Sequence, residues 1–263
     1  MNNVINRSIT NAPLIRAEYD NIVYGTDSAE QSMDVYLPAN RDSLNTGVVI
    51  MIHGGGWIGG DKSTLTSGDY DDFFNENGSA VININYRLIP KYAYPAAIDD
   101  ISMVLEYIKN KQAVWKINSS RICLFGFSAG GQLALAYAYK YNSEKRIKAV
   151  IDVSGITDFI DSEQNTFFIG TLDSAFGNYT ANKQQRHDAS PINYTITAVP
   201  TVIIHGTSDP YVPFSQAQLL YDSLRQINIP ERFIPIAGGG HGITDSNWLN
   251  LRVSVLYRIK NYL

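Results

Sequence analysis

The chain has 263 residues, of which 44% are hydrophobic, and its formal net charge is −4. A chain of this length can bury one large core, and a single domain over residues 1–263 is the expected organisation. Acidic and basic residues are interspersed, so no basic face is expected and nucleic acid is excluded as an expected partner. No run reaches the roughly 18 apolar residues of a membrane span, so no membrane partner is expected either.

The N-terminal residues carry no apolar stretch of the kind found in secretion signals. A cytoplasmic location is therefore the default expectation, although a leader removed earlier would leave no trace in this sequence. The one cysteine, Cys123, lies in an apolar run, where a small buried thiol on a strand is expected.

Short apolar runs alternate along the chain with longer amphipathic stretches. Strands are predicted at 19–24, 33–37, 48–52, 80–84, 121–125, 147–153, 201–205 and 232–236. Helices are predicted at 96–111, 129–141, 214–227 and 246–262, where apolar residues recur at helical spacing. The alternation predicts an α/β fold, with a mostly parallel sheet of about eight strands and helices on both faces.

The segment 156–198 breaks this rhythm, because it is polar, rich in aromatic residues and only weakly periodic. We expect it to be a small insertion over the sheet rather than a second domain. Ligands of such folds bind beyond the carboxyl ends of the parallel strands. The motifs described below all follow predicted strands, so they are expected to meet at that edge.

A glycine-flanked serine follows the predicted strand 121–125, in the sequence G-F-S-A-G at 126–130. A turn this sharp between strand and helix strains the serine backbone and lifts the hydroxyl out of the sheet. Small residues are needed two positions to either side, because side chains there would collide with the neighbouring strand or helix. An ordinary turn with a capping serine is the alternative. Ser128 is predicted to be a nucleophile because other motifs accompany it.

Three consecutive glycines follow the predicted strand 48–52, in the sequence H-G-G-G-W at 53–57. Glycine lets the backbone turn and approach a substrate closely, and its N–H groups can then point at one oxygen. Preorganised N–H donors stabilise the oxyanion that forms in acyl transfer. The predicted donors are the N–H groups of Gly55, Gly56 and Ala129. A phosphate-binding loop is disfavoured, since neither G-K-[ST] nor G-x-G-x-x-G occurs here.

A serine hydroxyl needs a base to take its proton, and the chain has four histidines. His241 lies in a glycine-rich loop after the last predicted strand, where it could swing over Ser128. Asp209 follows the preceding strand and is predicted to orient the imidazole and stabilise its charged form. The chain order Ser128, Asp209, His241 is the one that such sheets use. The plainer interpretations are an Asp-Pro turn for Asp209 and a structural loop residue for His241.

The motifs resemble those of α/β-hydrolase esterases, especially the small bacterial acetyl and feruloyl esterases and the hormone-sensitive-lipase-like group. The matching stretches span most of the chain in the same order: 53–57, 85–88, 94–97 with Asp99 and Asp100, 126–131, 205–209 and 240–242. The resemblance implies an α/β-hydrolase fold and a serine esterase that hydrolyses carboxylic esters through a Ser-His-Asp triad. It also implies no metal and no organic cofactor.

The chain departs from the hormone-sensitive-lipase-like group at its start. The first strand is predicted by about residue 19, which leaves only a short arm where that group carries a helical cap. A reduced cap favours an open site and short acyl groups such as acetate. The H-G-G-x-W sequence is also similar to that of arylformamidases, so amide hydrolysis is the alternative activity. A non-catalytic binding protein on a hydrolase fold is a more remote alternative.

Three residues beside these motifs are candidates for substrate contact: Trp57, Phe127 and Val212. The expected partner is a small ester or an acylated sugar. The sequence leaves the alcohol moiety of that ester open, and it also leaves open whether the chain forms a homodimer.

Overall fold

A computed structural model describes residues 13–160, 173, 176 and 182–263 of the chain. The described strands form one eight-stranded sheet in the order β1-β2-β4-β3-β5-β6-β7-β8. They are β1 (Ala17–Val23), β2 (Ser32–Leu37), β3 (Val48–Ile52), β4 (Ala80–Ile84), β5 (Ile122–Phe127), β6 (Ile147–Val153), β7 (Thr201–Gly206) and β8 (Glu231–Ile236). Strands β1 and β2 pair antiparallel, and β2 pairs antiparallel with β4. The strands from β4 to β8 all pair in parallel, which confirms the predicted mostly parallel sheet.

Helices cover both faces of this sheet. They are α1 (Tyr70–Glu76), α2 (Pro95–Trp115), α3 (Ala129–Ala136), α4 (Lys183–Ala189), α5 (Phe214–Gln226) and α6 (Asp245–Ile259). A π-helical turn, Tyr137–Tyr141, continues α3, and 3₁₀ helices occupy Lys62–Gly68 and Pro191–Thr197. Buried side chains of α2, α3 and α5 share one core cluster, and those of α1 and α6 share another. Within the described residues, no helix has both the length and the apolar character that crossing a bilayer requires.

The central strands are buried on both faces, as their continuous apolar sequences predict. Every residue of β3 is fully buried; Val48, Ile50 and Ile52 face one core cluster, and Val49 and Met51 face the other. Since successive side chains of a strand point to opposite faces, one short run contributes to two cores at once. The sheet is therefore a rigid support, and its carboxyl edge carries the loops described below.

The predicted elements differ from the structure in three places. The predicted helix 129–141 ends as an α-helix at Ala136 and continues as the π-helical turn. The 3₁₀ helix Lys62–Gly68 and helix α1 were not predicted, because both are short and weakly periodic. The predicted insertion 156–198 lies partly outside the described residues, and its described end contains α4 and the 3₁₀ helix Pro191–Thr197.

Candidate active site

Ser128 stands between the end of β5 and the start of α3, at the carboxyl edge of the sheet. Its backbone has φ 56° and ψ −116°, a positive-φ conformation that is strained for a residue with a side chain. A hydrogen bond from its N–H to the Val153 carbonyl, 2.8 Å long, fixes this turn to the end of β6. A β-carbon on Gly126 would overlap the carbonyl of Gly130. The turn is thus as crowded as the G-x-S-x-G pattern predicts.

His241 lies beside Ser128, although 113 residues separate them along the chain. The Nε2 atom of His241 is 2.9 Å from the Ser128 hydroxyl oxygen, and its Nδ1 is 2.8 Å from Oδ2 of Asp209. The rings of Phe127 and Tyr211 pack against the imidazole, with centroid distances of 5.0 and 5.3 Å. These contacts hold the imidazole between a hydroxyl and a carboxylate.

The carboxylate of Asp209 is fully buried and is saturated with donors. Its Oδ1 accepts hydrogen bonds from the N–H groups of Tyr211, at 2.8 Å, and Val212, at 2.9 Å. Burial by itself would raise the pKa of Asp209. Hydrogen bonds from His205, His241 and the two backbone N–H groups outweigh burial and hold that pKa well below its usual range. Asp209 is therefore ionised at neutral pH.

The sequence did not single out His205 as part of this arrangement. It is fully buried in β7, and its Nε2 lies 3.3 Å from Oδ2 of Asp209. The available signal was the spacing in H-G-T-S-D, which puts the histidine four residues before the aspartate at the end of the same strand. Apolar periodicity does not report such a contact, because the contact depends on how the turn after the strand folds back.

The glycine loop after β3 has an unusual backbone. Gly55, Gly56 and Trp57 have φ values of 110°, 61° and 63°, and the loop is closed by 3.1 Å hydrogen bonds from the N–H groups of Ile58 and Gly59 to the Gly55 carbonyl. Positive φ at two successive positions requires glycine or carries strain. Among the hydrogen bonds of the described residues, none uses the N–H of Gly55, Gly56 or Ala129 as donor. These N–H groups are thus free of protein acceptors within the described part of the chain.

His53 contacts this loop from the protein interior and stabilises it. Its ring stacks on Tyr86 with a centroid distance of 4.4 Å, and its Nδ1 is 2.6 Å from the Gly54 carbonyl. The Tyr86 hydroxyl donates a 3.0 Å hydrogen bond to the His53 carbonyl. Burial lowers the pKa of His53, so its imidazole is neutral at pH 7.

Two of the three substrate-contact candidates are buried inside the protein. Trp57 is 1% exposed, and its Nε1 donates a 3.1 Å hydrogen bond to Oε1 of Gln132. Val212 is fully buried. Their placement does not support the prediction that either residue contacts substrate, because neither presents side-chain surface. Phe127 is partly exposed, so its placement is compatible with that prediction.

A cavity of about 200 Å³ lies against His241 and Phe127. The cavity is lined by residues of the first 3₁₀ helix, of α1, of strands β5 and β6, of the loop between β8 and α6, and of the start of α6. They are Thr64, Leu65, Tyr70, Phe125, Phe127, Val153, His241, Gly242, Ile243 and Asp245. Sites for drug-sized ligands usually measure about 300–1,000 Å³. This cavity therefore has room for a small group only, and it reaches the candidate site through His241 and Phe127 rather than through Ser128.

A hydroxyl, an imidazole and a carboxylate in this order can transfer a proton from oxygen to nitrogen while the carboxylate stabilises the imidazolium. Over the described ranges 13–160 and 182–263, no three His, Cys, Asp or Glu side chains are placed to share a metal ion. The arrangement of Ser128, His241 and Asp209 is suited to nucleophilic and acid–base chemistry.

Comparison with known proteins gives a family match and two sets of relatives. A sequence model of the BD-FAE family matches residues 33–224, which is most of the chain. The chain is 27% identical to the "Probable carboxylic ester hydrolase LipM" of Mycobacterium tuberculosis over 223 residues, which cover 79% of this chain and 52% of that protein. It is 25% identical to esterase LipC of the same organism over 238 residues, which cover 84% of this chain and 59% of that protein. The chain thus spans between half and three fifths of these relatives.

Solved structures with similar folds include a bifunctional GH43-CE protein of Bacteroides eggerthii, with a TM-score of 0.80 and 24% identity; the match covers 92% of this chain and 38% of that chain. A truncated carbohydrate esterase from gut microbiota matches with a TM-score of 0.73 and 22% identity, covering 93% of this chain and 96% of that chain. Esterase 2 of Thermogutta terrifontis, phosphonylated by sarin, matches with a TM-score of 0.78 and 18% identity, covering 90% and 94%. At these identities the likeness concerns the fold, and the predicted α/β-hydrolase fold is confirmed.

Proposed function

This chain belongs to the BD-FAE family, and from that premise we propose that it is a serine carboxylesterase that hydrolyses short-chain, acetyl-type esters. The observation that carries the proposal is the continuous hydrogen-bonded series from Ser128 through His241 to Asp209, with contacts of 2.9 and 2.8 Å. These three side chains come from the ends of three different strands. Such a convergence of hydroxyl, imidazole and carboxylate is what nucleophilic acyl transfer requires.

The proposed reaction begins when Ser128 Oγ attacks the ester carbonyl while His241 Nε2 takes the hydroxyl proton. The negative charge that develops on the carbonyl oxygen is stabilised by the N–H groups of Gly55, Gly56 and Ala129. The C–O bond to the alcohol then breaks, and His241 returns the proton to the leaving oxygen. A water molecule, deprotonated by His241, attacks the acyl-serine and releases the acid. Asp209 stays ionised throughout and stabilises the imidazolium.

One observation supports a short acyl group. The cavity beside His241 and Phe127 measures only about 200 Å³. A short acyl group would fill the cavity without displacing the aromatic side chains that line it.

The alcohol side of the proposed substrate is a sugar. Two structures that share this fold come from proteins described as a carbohydrate esterase and as a bifunctional GH43-CE protein. An acylated sugar is the substrate class that fits those relatives and a small acyl cavity together. Amide hydrolysis of the arylformamidase kind remains the alternative on the same side chains.

The test is a series of p-nitrophenyl esters from acetate to dodecanoate, run beside acetylated xylan and N-formylkynurenine. We expect an optimum at acetate to butyrate, release of acetate from the xylan, and little turnover of the amide. Ser128→Ala should lower kcat by about 10⁴-fold or more. Ser120→Ala, which changes an exposed serine just before β5, is the matched control and should keep full activity.

Retained turnover in Ser128→Ala would refute the assignment of the nucleophile. An optimum above C8 would contradict the short acyl group, and preferential turnover of N-formylkynurenine would favour the amide alternative. Failure of a fluorophosphonate to label the folded wild-type protein would favour a non-catalytic binding protein.

A further inference from the structure

We propose that His205 is a positioning residue that holds the carboxylate of Asp209 in place. The negative charge of Asp209 then interacts with two imidazoles, those of His205 and His241. A second histidine would thus lie behind the catalytic acid. The inference rests on the proposed roles of Ser128, Asp209 and His241, and it adds a residue that makes no contact with substrate.

The geometry places one carboxylate oxygen between two imidazoles. Oδ2 of Asp209 lies 2.8 Å from Nδ1 of His241 and 3.3 Å from Nε2 of His205. His205 is fully buried and comes from the rigid strand β7, whereas His241 comes from a loop. The fixed imidazole is therefore the one that can hold the carboxylate still while the loop imidazole exchanges protons.

The protonation of His205 follows from its neighbours. Its Nε2 is 2.9 Å from the carbonyl oxygen of Val212 in addition to its contact with Asp209. A carbonyl oxygen and an ionised carboxylate can only accept hydrogen bonds, so Nε2 must carry the hydrogen. The N–H points to the Val212 carbonyl at 2.9 Å, and Oδ2 of Asp209, at 3.3 Å, is a more distant second contact of the same nitrogen. The shorter distance makes the Val212 carbonyl its main acceptor.

The contacts of His205 and Val212 together hold the carboxylate of Asp209. Val212 donates its own N–H to Oδ1 of Asp209 at 2.9 Å and accepts from His205 through its carbonyl. The turn that carries the acid is thereby fastened to the strand before it, and both carboxylate oxygens are held. Losing the imidazole would release the Val212 carbonyl and remove one donor from Asp209 in a single change.

A second buried carboxyl group interacts electrostatically with His205. Asp152, on the neighbouring strand β6, is fully buried, and burial raises its pKa to about 7. Within the described part of the chain, Nδ1 of His205 has no hydrogen-bond partner. The ring of Phe214, at the start of α5, packs edge-on to the imidazole with centroids 6.0 Å apart. The charged groups facing His205 are thus Asp152 from β6, Asp209 from its own turn, and His241 across that carboxylate.

Two measurable effects follow from the sharing of Asp209. With His205 removed, more of the negative charge of Asp209 is available to His241, so the imidazolium of His241 is stabilised and loses its proton at higher pH. The carboxylate is also less firmly held, so the imidazole is less well oriented toward Ser128. Because His205 does not touch substrate, these effects should reduce kcat and leave KM unchanged.

The experiment compares His205→Ala and His205→Gln with wild type, using kcat and KM for p-nitrophenyl acetate and an NMR titration of His241 Cε1–H. Glutamine is the conservative variant, because its amide N–H can reach toward the same acceptors. His187→Ala is the matched control, since that imidazole is half exposed on α4. The chain has only four histidines, so the signals can be assigned from single variants.

We expect His205→Ala to lower kcat about 10-fold, corresponding to one lost hydrogen bond to a charged group. The His241 midpoint should move to higher pH by about half a unit or more. His205→Gln should restore most of the wild-type kcat and most of the wild-type midpoint. His187→Ala should change neither kcat nor the midpoint. Wild-type kcat with an unmoved midpoint in folded His205→Ala would overturn the proposal. A loss of kcat that glutamine does not restore, with the midpoint unmoved, would assign His205 to packing and overturn it equally.

The test separates this proposal from the proposed function. If wild type shows no turnover that depends on Ser128, the esterase assignment fails, while the His241 midpoints in the three proteins still decide the role of His205. If wild type is active through Ser128 and His205→Ala matches it in every measurement, only the role of His205 fails.

Discussion

Gly130 lies directly against the backbone carbonyl of Ile52, the last residue of β3. A β-carbon on Gly130 would overlap that oxygen, and a shift of either backbone is the only relief because the partner is not a flexible side chain. This contact joins the start of α3 to the strand that carries the glycine loop. The distance between Ser128 and the N–H groups of Gly55 and Gly56 therefore depends on it.

We accordingly predict that Gly130→Ala displaces α3 from β3. The variant should lose about 2 kcal/mol or more of unfolding free energy, as overpacked cores do. Its esterase activity should fall about 100-fold, because a small misplacement of reacting groups is costly. Urea unfolding and initial rates on p-nitrophenyl acetate measure the two effects.

Gly59→Ala is the matched control for Gly130→Ala. A β-carbon on Gly59 would meet nothing within 4 Å, and its φ is not in the positive range. It should behave as wild type in both measurements. Equal losses in the two variants would mean that flexibility, rather than the contact with Ile52, explains the need for glycine.

The positive φ of Ser128 predicts a difference in stability between two inactive variants. A side chain at φ 56° is strained, and glycine removes that strain although it makes the unfolded chain more flexible. Ser128→Gly should therefore be more stable than Ser128→Ala by about 1 kcal/mol, the part of the strain that remains after the entropy cost. Chemical denaturation of both proteins under one condition gives the comparison. An alanine variant as stable as the glycine variant would show that the turn stores no strain.

Asp152 should make stability fall as the pH rises. Burial raises its folded-state pKa from 3.8 to about 7, so the folded protein retains a proton that the unfolded chain releases over that range. The unfavourable contribution is absent below about pH 4 and complete above about pH 7. We predict that Asp152→Asn is stabilised relative to wild type by about 2 to 4 kcal/mol more at pH 8 than at pH 4.

Urea unfolding at the two pH values measures this difference. Asp99→Asn is the control, because Asp99 is exposed on α2 and should show no such dependence. A difference between wild type and Asp152→Asn that is the same at both pH values would contradict the interpretation of Asp152 as a buried, titrating carboxyl.

The sheet could be predicted from the sequence because its signals are local. The run 48–52 is apolar throughout and 80–84 is apolar except for Asn83, a composition typical of a strand covered on both faces. The placement of Ser128, Asp209 and His241 after three different predicted strands could also be predicted, since the carboxyl ends of parallel strands share one edge. The structure brings these three side chains into hydrogen-bonding contact, as that reasoning anticipates.

Contacts that depend on packing direction were not predictable in this way. Trp57 follows the glycine loop, and a substrate contact was expected there, but its ring is buried and donates a hydrogen bond to Gln132. The role of His205 was missed because the residue is four positions from Asp209 in sequence, and only the fold of the turn at 209–212 brings them together. Both cases depend on backbone geometry in loops, which apolar periodicity does not encode.

The position of His241 has a consequence for how the protein responds to heat. It follows β8, which is the last strand of the sheet and pairs only with β7 among the described strands. Edge strands and the loops after them open before central strands do, because fewer contacts hold them. Thermal inactivation would then begin as local fraying that carries the imidazole away from Ser128, while β3, β5 and β6 remain paired. Cooling before the central strands separate would restore the site without refolding the chain.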